Sequence, residues 1–154
     1  MFEIISDSFY LSDAFLRNPT DATFDGTVDK ESEPVRLKVL VVDDEKLIAD
    51  TVSEILKGAG FHVMAAYDGW AALEAANHFR PDYLLSDVLM PRMNGVELAI
   101  TIQKIHPTAK ILLFSGQAGI SKILLNGQQQ GLKFELIAKP IHPLKLIAIL
   151  KDQE

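Results

Sequence analysis

Short apolar runs and amphipathic stretches alternate along the chain from Val35 to its end. Apolar runs of four to six residues are typical of buried strands, and the chain has five of them. The stretches between the runs carry apolar residues three and four positions apart, which predicts helices. The expected strands are residues 37–42, 61–65, 82–86, 110–114 and 133–138, and the expected helices are residues 45–58, 69–79, 95–105, 118–130 and 143–151.

This strict alternation predicts an α/β fold with a doubly wound, five-stranded parallel sheet and helices on both faces. Helix ends are marked by Gly58 and by the prolines at positions 81 and 107, which cannot continue a helix. The fourth helix is the weakest expectation, because Gly119 and Gly127 lie within it and glycine is a poor helix former.

Polar side chains stand at the carboxyl ends of four of the apolar runs. Asp43 and Asp44 follow LKVLVV, Asp87 follows PDYLLS, Ser115 follows AKILLF, and Lys139 follows FELIA. In an open parallel α/β sheet, ligands bind at the carboxyl ends of the strands. We therefore expect these five side chains to converge on one edge of the sheet.

The chemistry of this group predicts a phosphoryl site. Three carboxylates packed together repel one another unless a hard cation joins them, which implies Mg²⁺. A hydroxyl and an ammonium group in the same place suit the oxygens of a phosphoryl group. Taken singly, each residue has an ordinary alternative. Asp43 or Asp44 would cap the helix near Glu45, Asp87 would be a turn aspartate, Ser115 a loop serine and Lys139 a solvated lysine.

Composition and charge narrow the class of protein. The 154 residues suggest one domain, and the absence of cysteine excludes disulfides and thiolate metal sites and fits a reducing cytoplasm. No apolar run approaches the length that spans a membrane. Residues 35–154 hold 13 acidic and 13 basic residues, so this part has no electrostatic footprint for nucleic acid.

Residues 1–34 differ from the rest of the chain, since they hold eight acidic and two basic residues and carry the whole net charge of −6. We predict an acidic, flexible N-terminal extension over residues 1–34 and a single folded domain over residues 35–154. Two interpretations of the extension stay open. It is a disordered tail, such as a wrongly chosen upstream start codon would produce, or it is an arm whose apolar part docks on a partner or on the body.

Four motifs, VLVVDDE, LLSDVLMPRMNG, LLFSG and AKP, occur in this order, each at the end of an expected strand. With them the chain resembles the receiver domain of two-component response regulators over about residues 37–151. The resemblance implies a flavodoxin-like sheet with strand order 2-1-3-4-5. It also implies a signalling phosphoacceptor, which catalyses only its own phosphorylation and slow dephosphorylation and is otherwise not an enzyme.

The resemblance assigns a metal site and an acceptor. Asp87 matches the residue that becomes aspartyl phosphate. Asp44 would bind Mg²⁺ directly, Asp43 directly or through water, and the backbone carbonyl of Leu89 would complete the protein ligands. Mg²⁺ keeps several of its bound waters, so a few carboxylates are enough to hold it.

The remaining carried-over roles concern the phosphoryl group and its switch. Ser115 would donate a hydrogen bond to a phosphoryl oxygen, and Lys139 would pair with Asp87 at rest and with the phosphoryl group afterwards. The Lys139–Pro140 bond is expected to be cis, as in the family. The expected switch region is Ser115, Gly116, Phe134 and Leu136. Leu136 stands where the family carries a Tyr or Phe, and we expect Phe134 to substitute for it in part.

We expect a stand-alone, cytoplasmic receiver. Its phosphoryl donor would be a histidine kinase or a histidine phosphotransfer protein, and its output would be altered contact with a downstream protein, without direct binding to DNA or membrane. Phosphorylation-dependent homodimerisation is left open. The alternatives are a phosphorelay shuttle or phosphate sink, a receiver-like binding module that is never phosphorylated, and a haloacid-dehalogenase-type phosphatase. The last needs a DxD pattern that Asp43-Asp44-Glu45 lacks.

Overall fold

Five strands and five helices alternate along residues 35–116 and 119–152, which are the residues that the computed structural model describes. The expected extension over residues 1–34 lies outside this range, as do residues 117–118 and 153–154. The elements are β1 (Lys38–Val42), α1 (Lys46–Gly58), β2 (His62–Ala66), α2 (Gly69–Phe79), β3 (Tyr83–Asp87), α3 (Gly95–Ile105), β4 (Lys110–Ser115), α4 (Ser121–Gln129), β5 (Glu135–Ala138) and α5 (Pro143–Asp152).

The strands form one parallel sheet in the order β2-β1-β3-β4-β5, which confirms the predicted fold class and strand order. At the centre of the sheet, Leu40 of β1 lies opposite Met64 of β2 and Leu84 of β3. At the edge, Ser115 of β4 lies opposite Ala138 of β5. All strands point the same way, so their carboxyl ends share one edge of the sheet.

Alternate residues of each strand feed two separate cores, one on each face of the sheet. Val39 and Val41 of β1 pack with the cluster that includes the apolar sides of α1 and α5. Leu40 and Val42 face the opposite cluster, against α2, α3 and α4. Burial on both faces explains why the strands read as continuous apolar runs. Within the described part of the chain, no helix is long and apolar enough to cross a membrane.

The last third of the chain departs most from the predicted boundaries. Helix α4 begins only at Ser121, and β5 is four residues long, so Phe134 precedes the strand. No side chain caps the start of α4. The buried face of this helix includes Gly127, whose missing Cβ would lie 2.8 Å from a methyl group of Val96 on α3. The glycine therefore lets two helices approach closely, which offsets its low helix propensity.

Two glycine substitutions should move stability in opposite directions. Gly127→Ala should lower the free energy of unfolding by about 1–3 kcal/mol, because its methyl group would overlap the buried Val96 and press on Leu132. Gly58→Ala, at a helix position where a Cβ meets nothing within 4 Å, should raise it by about 0.4–1 kcal/mol. Urea denaturation of both variants measures this difference. A stabilised Gly127→Ala variant would contradict the close approach of α3 and α4.

Candidate functional site

The polar residues predicted to converge do meet at the carboxyl edge of the sheet. Asp43 directly follows β1, Asp87 ends β3, Ser115 ends β4, and Lys139 directly follows β5. Backbone hydrogen bonds extend past the strand ends and fix these positions. The Lys139 amide donates to the carbonyl of Ser115 at 2.9 Å, and the amide of Val88 donates across to β4 at 2.9 Å. The side chains therefore project from a rigid edge.

Three carboxylates form the acidic part of the site. Asp43, Asp44 and Asp87 each offer an oxygen, and these oxygens all lie within 4.8 Å of one another. Asp43 is buried, Asp87 is partly buried and Asp44 is exposed, so the cluster opens to solvent on one side. Oxygen ligands with an open side fit a hard cation such as Mg²⁺, which retains several of its waters.

Asp43 organises the cluster through both of its carboxylate oxygens. Oδ1 accepts a hydrogen bond from the Glu45 amide at 2.9 Å, and Oδ2 accepts one from the Lys139 ammonium group at 3.0 Å. The residue that precedes helix α1 is Glu45, and no side chain caps that helix. The alternative in which Asp43 or Asp44 is an ordinary helix cap is therefore wrong.

Lys139 bridges two of the carboxylates. Its Nζ lies 3.0 Å from Asp43 Oδ2 and 3.5 Å from Asp87 Oδ1, so the resting partner is Asp43 as well as the expected Asp87. Burial by itself would lower the pKa of Lys139, but its hydrogen bond to Asp43 and the negative charges of Asp87 and Asp43 outweigh burial and raise that pKa. Lys139 is therefore a permanent cation at the site. The Lys139–Pro140 peptide bond is cis.

The electrostatic balance at Asp87 differs from that at Lys139. Burial is the main cause that raises the pKa of the Asp87 carboxyl above its ordinary value. The charge of Lys139 opposes this rise, whereas the charges of Asp43 and Asp44 add to it. The folded protein thus holds a proton on Asp87 more tightly than the unfolded chain does, and the ionised carboxylate lowers the free energy of unfolding.

The pH dependence of stability should report this balance. In metal-free buffer, ionisation of Asp87 should destabilise the fold increasingly as pH rises above the ordinary value of 3.8 and through the raised pKa. Asp87→Asn removes the charge, so this variant should have a higher Tm than wild type at neutral pH, and the difference should shrink as pH falls toward 3.8. Melting curves across this pH range test the sign. A variant that is less stable than wild type at neutral pH would contradict it.

Two contacts around the end of β3 were not predicted from the sequence. The buried Ser86 hydroxyl donates a hydrogen bond to the carbonyl of Asp87 at 3.0 Å. The Gly95 amide donates to the carbonyl of Val88 at 2.8 Å, which brings the start of α3 against the end of β3. A Cβ on Gly95 would overlap the Asp87 carbonyl oxygen. The position of a polar serine within the otherwise apolar run YLLS is the feature of the sequence that could have indicated a role for Ser86.

A cavity of about 330 Å³ lies over the acidic cluster. Asp44, Asp87 and Lys139 line it from one side, and Ser115 lines it at the end of β4. Sequence reasoning missed Ile48, an apolar residue on α1 that forms part of the wall. The remaining lining residues are Glu45, Leu89 and Gly116.

The two other residues of the expected switch region lie apart from this cavity. Leu136 is 46% exposed on the edge strand β5. Phe134 precedes β5 and lines a different cavity, together with Lys110 and Lys133, near the amino end of β4. Since Ala138 is the residue level with Ser115, Phe134 lies about 13 Å farther along the strand direction. The partial substitution of Phe134 for the missing ring stays a prediction.

The chain is similar in sequence to regulatory proteins. It is 34% identical to the "Regulatory protein VanRc" of Enterococcus gallinarum over 116 residues, which are 75% of this chain and 49% of the relative. It is 30% identical to the "Probable transcriptional regulator ycf29" of Porphyra purpurea over 115 residues, which are 74% of this chain and 54% of the relative. The chain thus spans about half the length of these curated relatives.

The fold is similar to solved structures of CheY-like proteins. The chemotaxis protein CheY4 of Vibrio cholerae is 32% identical, with a TM-score of 0.69 over 77% of this chain and 98% of that one. A CheY-like receiver domain protein of Methanospirillum hungatei is 26% identical, with a TM-score of 0.69 over 77% of this chain and 94% of that one. The similarity therefore covers whole CheY-like domains.

The family model that matches this chain describes the response regulator receiver domain and covers residues 39–151. This match begins in β1 and ends in α5, so it includes residues of every strand of the sheet and all residues of the acidic site. The chain belongs to the response regulator receiver domain family.

Proposed function

We propose that Asp87 accepts a phosphoryl group from a phosphohistidine of a histidine kinase or histidine phosphotransfer protein. The observation that carries the proposal is the meeting of three carboxylates and one lysine ammonium group on a single open edge. An Asp87 oxygen would form the new bond to phosphorus while the bond from phosphorus to the histidine nitrogen breaks. The imidazole leaves with the electron pair of that bond.

The charges around Asp87 suit this transfer. A carboxylate is repelled by an anionic phosphoryl donor, and Lys139 supplies a positive charge within 3.5 Å of the nucleophile. Ser115, at the end of the neighbouring strand, would donate its hydroxyl to a second phosphoryl oxygen. Catalysis of this kind is mostly positioning and charge stabilisation, so little other chemistry is required of the protein.

The carboxylates fit the Mg²⁺ that receiver domains bind at an acidic pocket. Asp44 and Asp87 would be the main side-chain ligands, with the Leu89 carbonyl as a further one. Asp43 would act mainly through water, because both of its oxygens already accept hydrogen bonds. When bound, the cation neutralises negative charge on the phosphoryl oxygens.

Substitution of Asp44 and of its neighbour Glu45, both exposed, should have different effects on Mg²⁺ affinity. Asp44→Ala should weaken binding by about tenfold or more, because the variant loses a ligand of the cation. Glu45→Ala is the matched control and should change the affinity little, since this side chain is not one of the three clustered carboxylates. Isothermal titration calorimetry gives both dissociation constants. Equal effects of the two variants would refute the assignment of Asp44.

The output we propose is altered protein–protein contact after phosphorylation, in the cytoplasm and without direct binding to DNA. The switch would begin at Ser115 and Gly116, which line the cavity over Asp87. Leu136 has no ring to fill different space in two states, so we expect it to move little. A shuttle or phosphate sink would share the site but would lack a partner that binds only the phosphorylated form.

The function is tested by incubating the protein with acetyl phosphate and Mg²⁺ and weighing it intact. Addition of one phosphoryl group supports the acceptor role, and its absence would favour the receiver-like module that is never phosphorylated. Pull-downs with and without beryllofluoride, which mimics the aspartyl phosphoryl group, then separate a signalling receiver from a shuttle. A protein captured only with beryllofluoride supports signalling.

A further inference from the structure

A second cavity, of about 240 Å³, lies beside the acidic one and differs from it in chemistry. Leu85 and Phe114 lie at its base on the central strands β3 and β4, and both are buried. Ile48 and Val52 of α1 also line it, as does Ile141, which follows β5. Eight of its ten lining residues are apolar, whereas the acidic cavity is lined mainly by polar groups.

The polar groups at this second cavity are already engaged. Asp43 and Lys139 line it, but they are hydrogen-bonded to each other at 3.0 Å, and the other Asp43 oxygen accepts the Glu45 amide. The Lys139 ammonium group also lies 6.0 Å from the centre of the Phe114 ring. A ligand with several polar atoms would lose its bonds to water without gaining partners, so the cavity favours an apolar ligand.

The position and the volume of the second cavity also indicate a ligand-binding site. The cavity lies at the carboxyl ends of β1 and β3, where the strand order reverses, and α/β folds bind small molecules in such crevices. A dry apolar cavity of about 150 Å³ is known to hold benzene. A cavity of about 240 Å³ therefore has room for a somewhat larger apolar molecule.

We propose that this second cavity is a binding site for a compact apolar molecule of about the size of two fused rings, lined by residues of α1 and of the segment after β5. Removal of the apolar walls from water would drive binding. The site adjoins the metal and phosphoryl site. The two cavities share Ile48 and Lys139 as lining residues, and Asp43 of the acidic cluster also lines the second cavity. Binding at the second cavity goes beyond the proposed phosphoacceptor function and does not require that Asp87 be phosphorylated.

Indole is the probe, and purine is the comparator of the same shape with four polar ring nitrogens. We expect saturable shifts of backbone amide resonances on titration of the full chain with indole, centred on Val52, Phe114 and Ile141. The dissociation constant should be millimolar or lower, as is usual for a ligand of this size. Purine should bind at least about tenfold more weakly.

Two cavity-filling variants locate the site. Val52→Phe and Ile141→Phe should each weaken indole binding by about tenfold or more, because a ring would occupy the space of the ligand. Leu47→Phe is the matched control, since Leu47 is 79% exposed on the same helix and does not line the cavity. The Leu47→Phe variant should bind indole with the same affinity as wild type.

The measurements on the wild-type protein decide the proposal even if a filling variant does not fold. Shifts confined to residues that line the cavity and unchanged by Mg²⁺ support it. Three outcomes would overturn it, namely no saturable shift up to the solubility limit of indole, equal binding of purine, or displacement of indole by Mg²⁺. Displacement would place the probe in the acidic cavity, and it would leave the proposed function of that cavity untouched.

Discussion

The Asp87→Asn variant should take up no phosphoryl group from acetyl phosphate and Mg²⁺, whereas the wild-type protein should gain one. An amide oxygen carries no negative charge and is a far weaker nucleophile than a carboxylate, so loss of labelling should be complete. The substitution conserves the shape of the side chain and leaves the backbone contacts of Asp87 with Ser86 unchanged. A folding defect is therefore not expected to cause the loss.

The control makes the same chemical change at a distant position. Asp152→Asn, at the exposed end of α5, should be labelled to the same extent as wild type. Intact-mass spectrometry at several times after mixing measures labelling in all three proteins. Labelling of the Asp87→Asn protein at the wild-type level would show that another residue is the acceptor, and the assignment of the acidic edge would fail with it.

Among glycine-to-alanine substitutions in the domain, Gly95→Ala should be one of the most destabilising. Its Cβ would overlap the Asp87 carbonyl oxygen and lie 3.1 Å from the Ser86 hydroxyl. A backbone carbonyl in a central strand cannot turn aside, so the start of α3 or the end of β3 must move. We expect a loss of about 2–4 kcal/mol in the free energy of unfolding and slower labelling of the displaced Asp87.

A second glycine provides a graded control for this effect. A Cβ on Gly69 would lie 2.6 Å from the sulfur and 2.8 Å from the Cβ of Met93, which is a less short overlap, and one with a side chain and not with a strand backbone. Gly69→Ala should therefore cost less than Gly95→Ala and leave the labelling rate near that of wild type. Denaturant unfolding gives both costs, and an equal cost for the two variants would argue against a rigid backbone contact at Gly95.

Strand and helix type could be predicted from local patterns, whereas the ends of the last elements could not. The runs LKVLVV and AKILLF are apolar throughout because both faces of the sheet are covered, and this pattern marks buried strands. Helix α4 and strand β5 have weaker patterns. Gly127 suggests a broken helix, but its tertiary role is to let α4 approach Val96, which no local propensity reports.

The order of residues along the chain was enough to predict which polar residues meet. In a parallel α/β sheet the carboxyl ends of the strands share one edge, so a polar residue at the end of each apolar run must join the same site. How these residues pair depends on the three-dimensional packing of the elements. Lys139 binds Asp43 as well as Asp87, and 96 positions separate Lys139 from Asp43 in the chain. Pairings over such a separation, the close contact at Gly95 and the apolar cavity beside the site depend on distances between packed elements, which residue order does not contain.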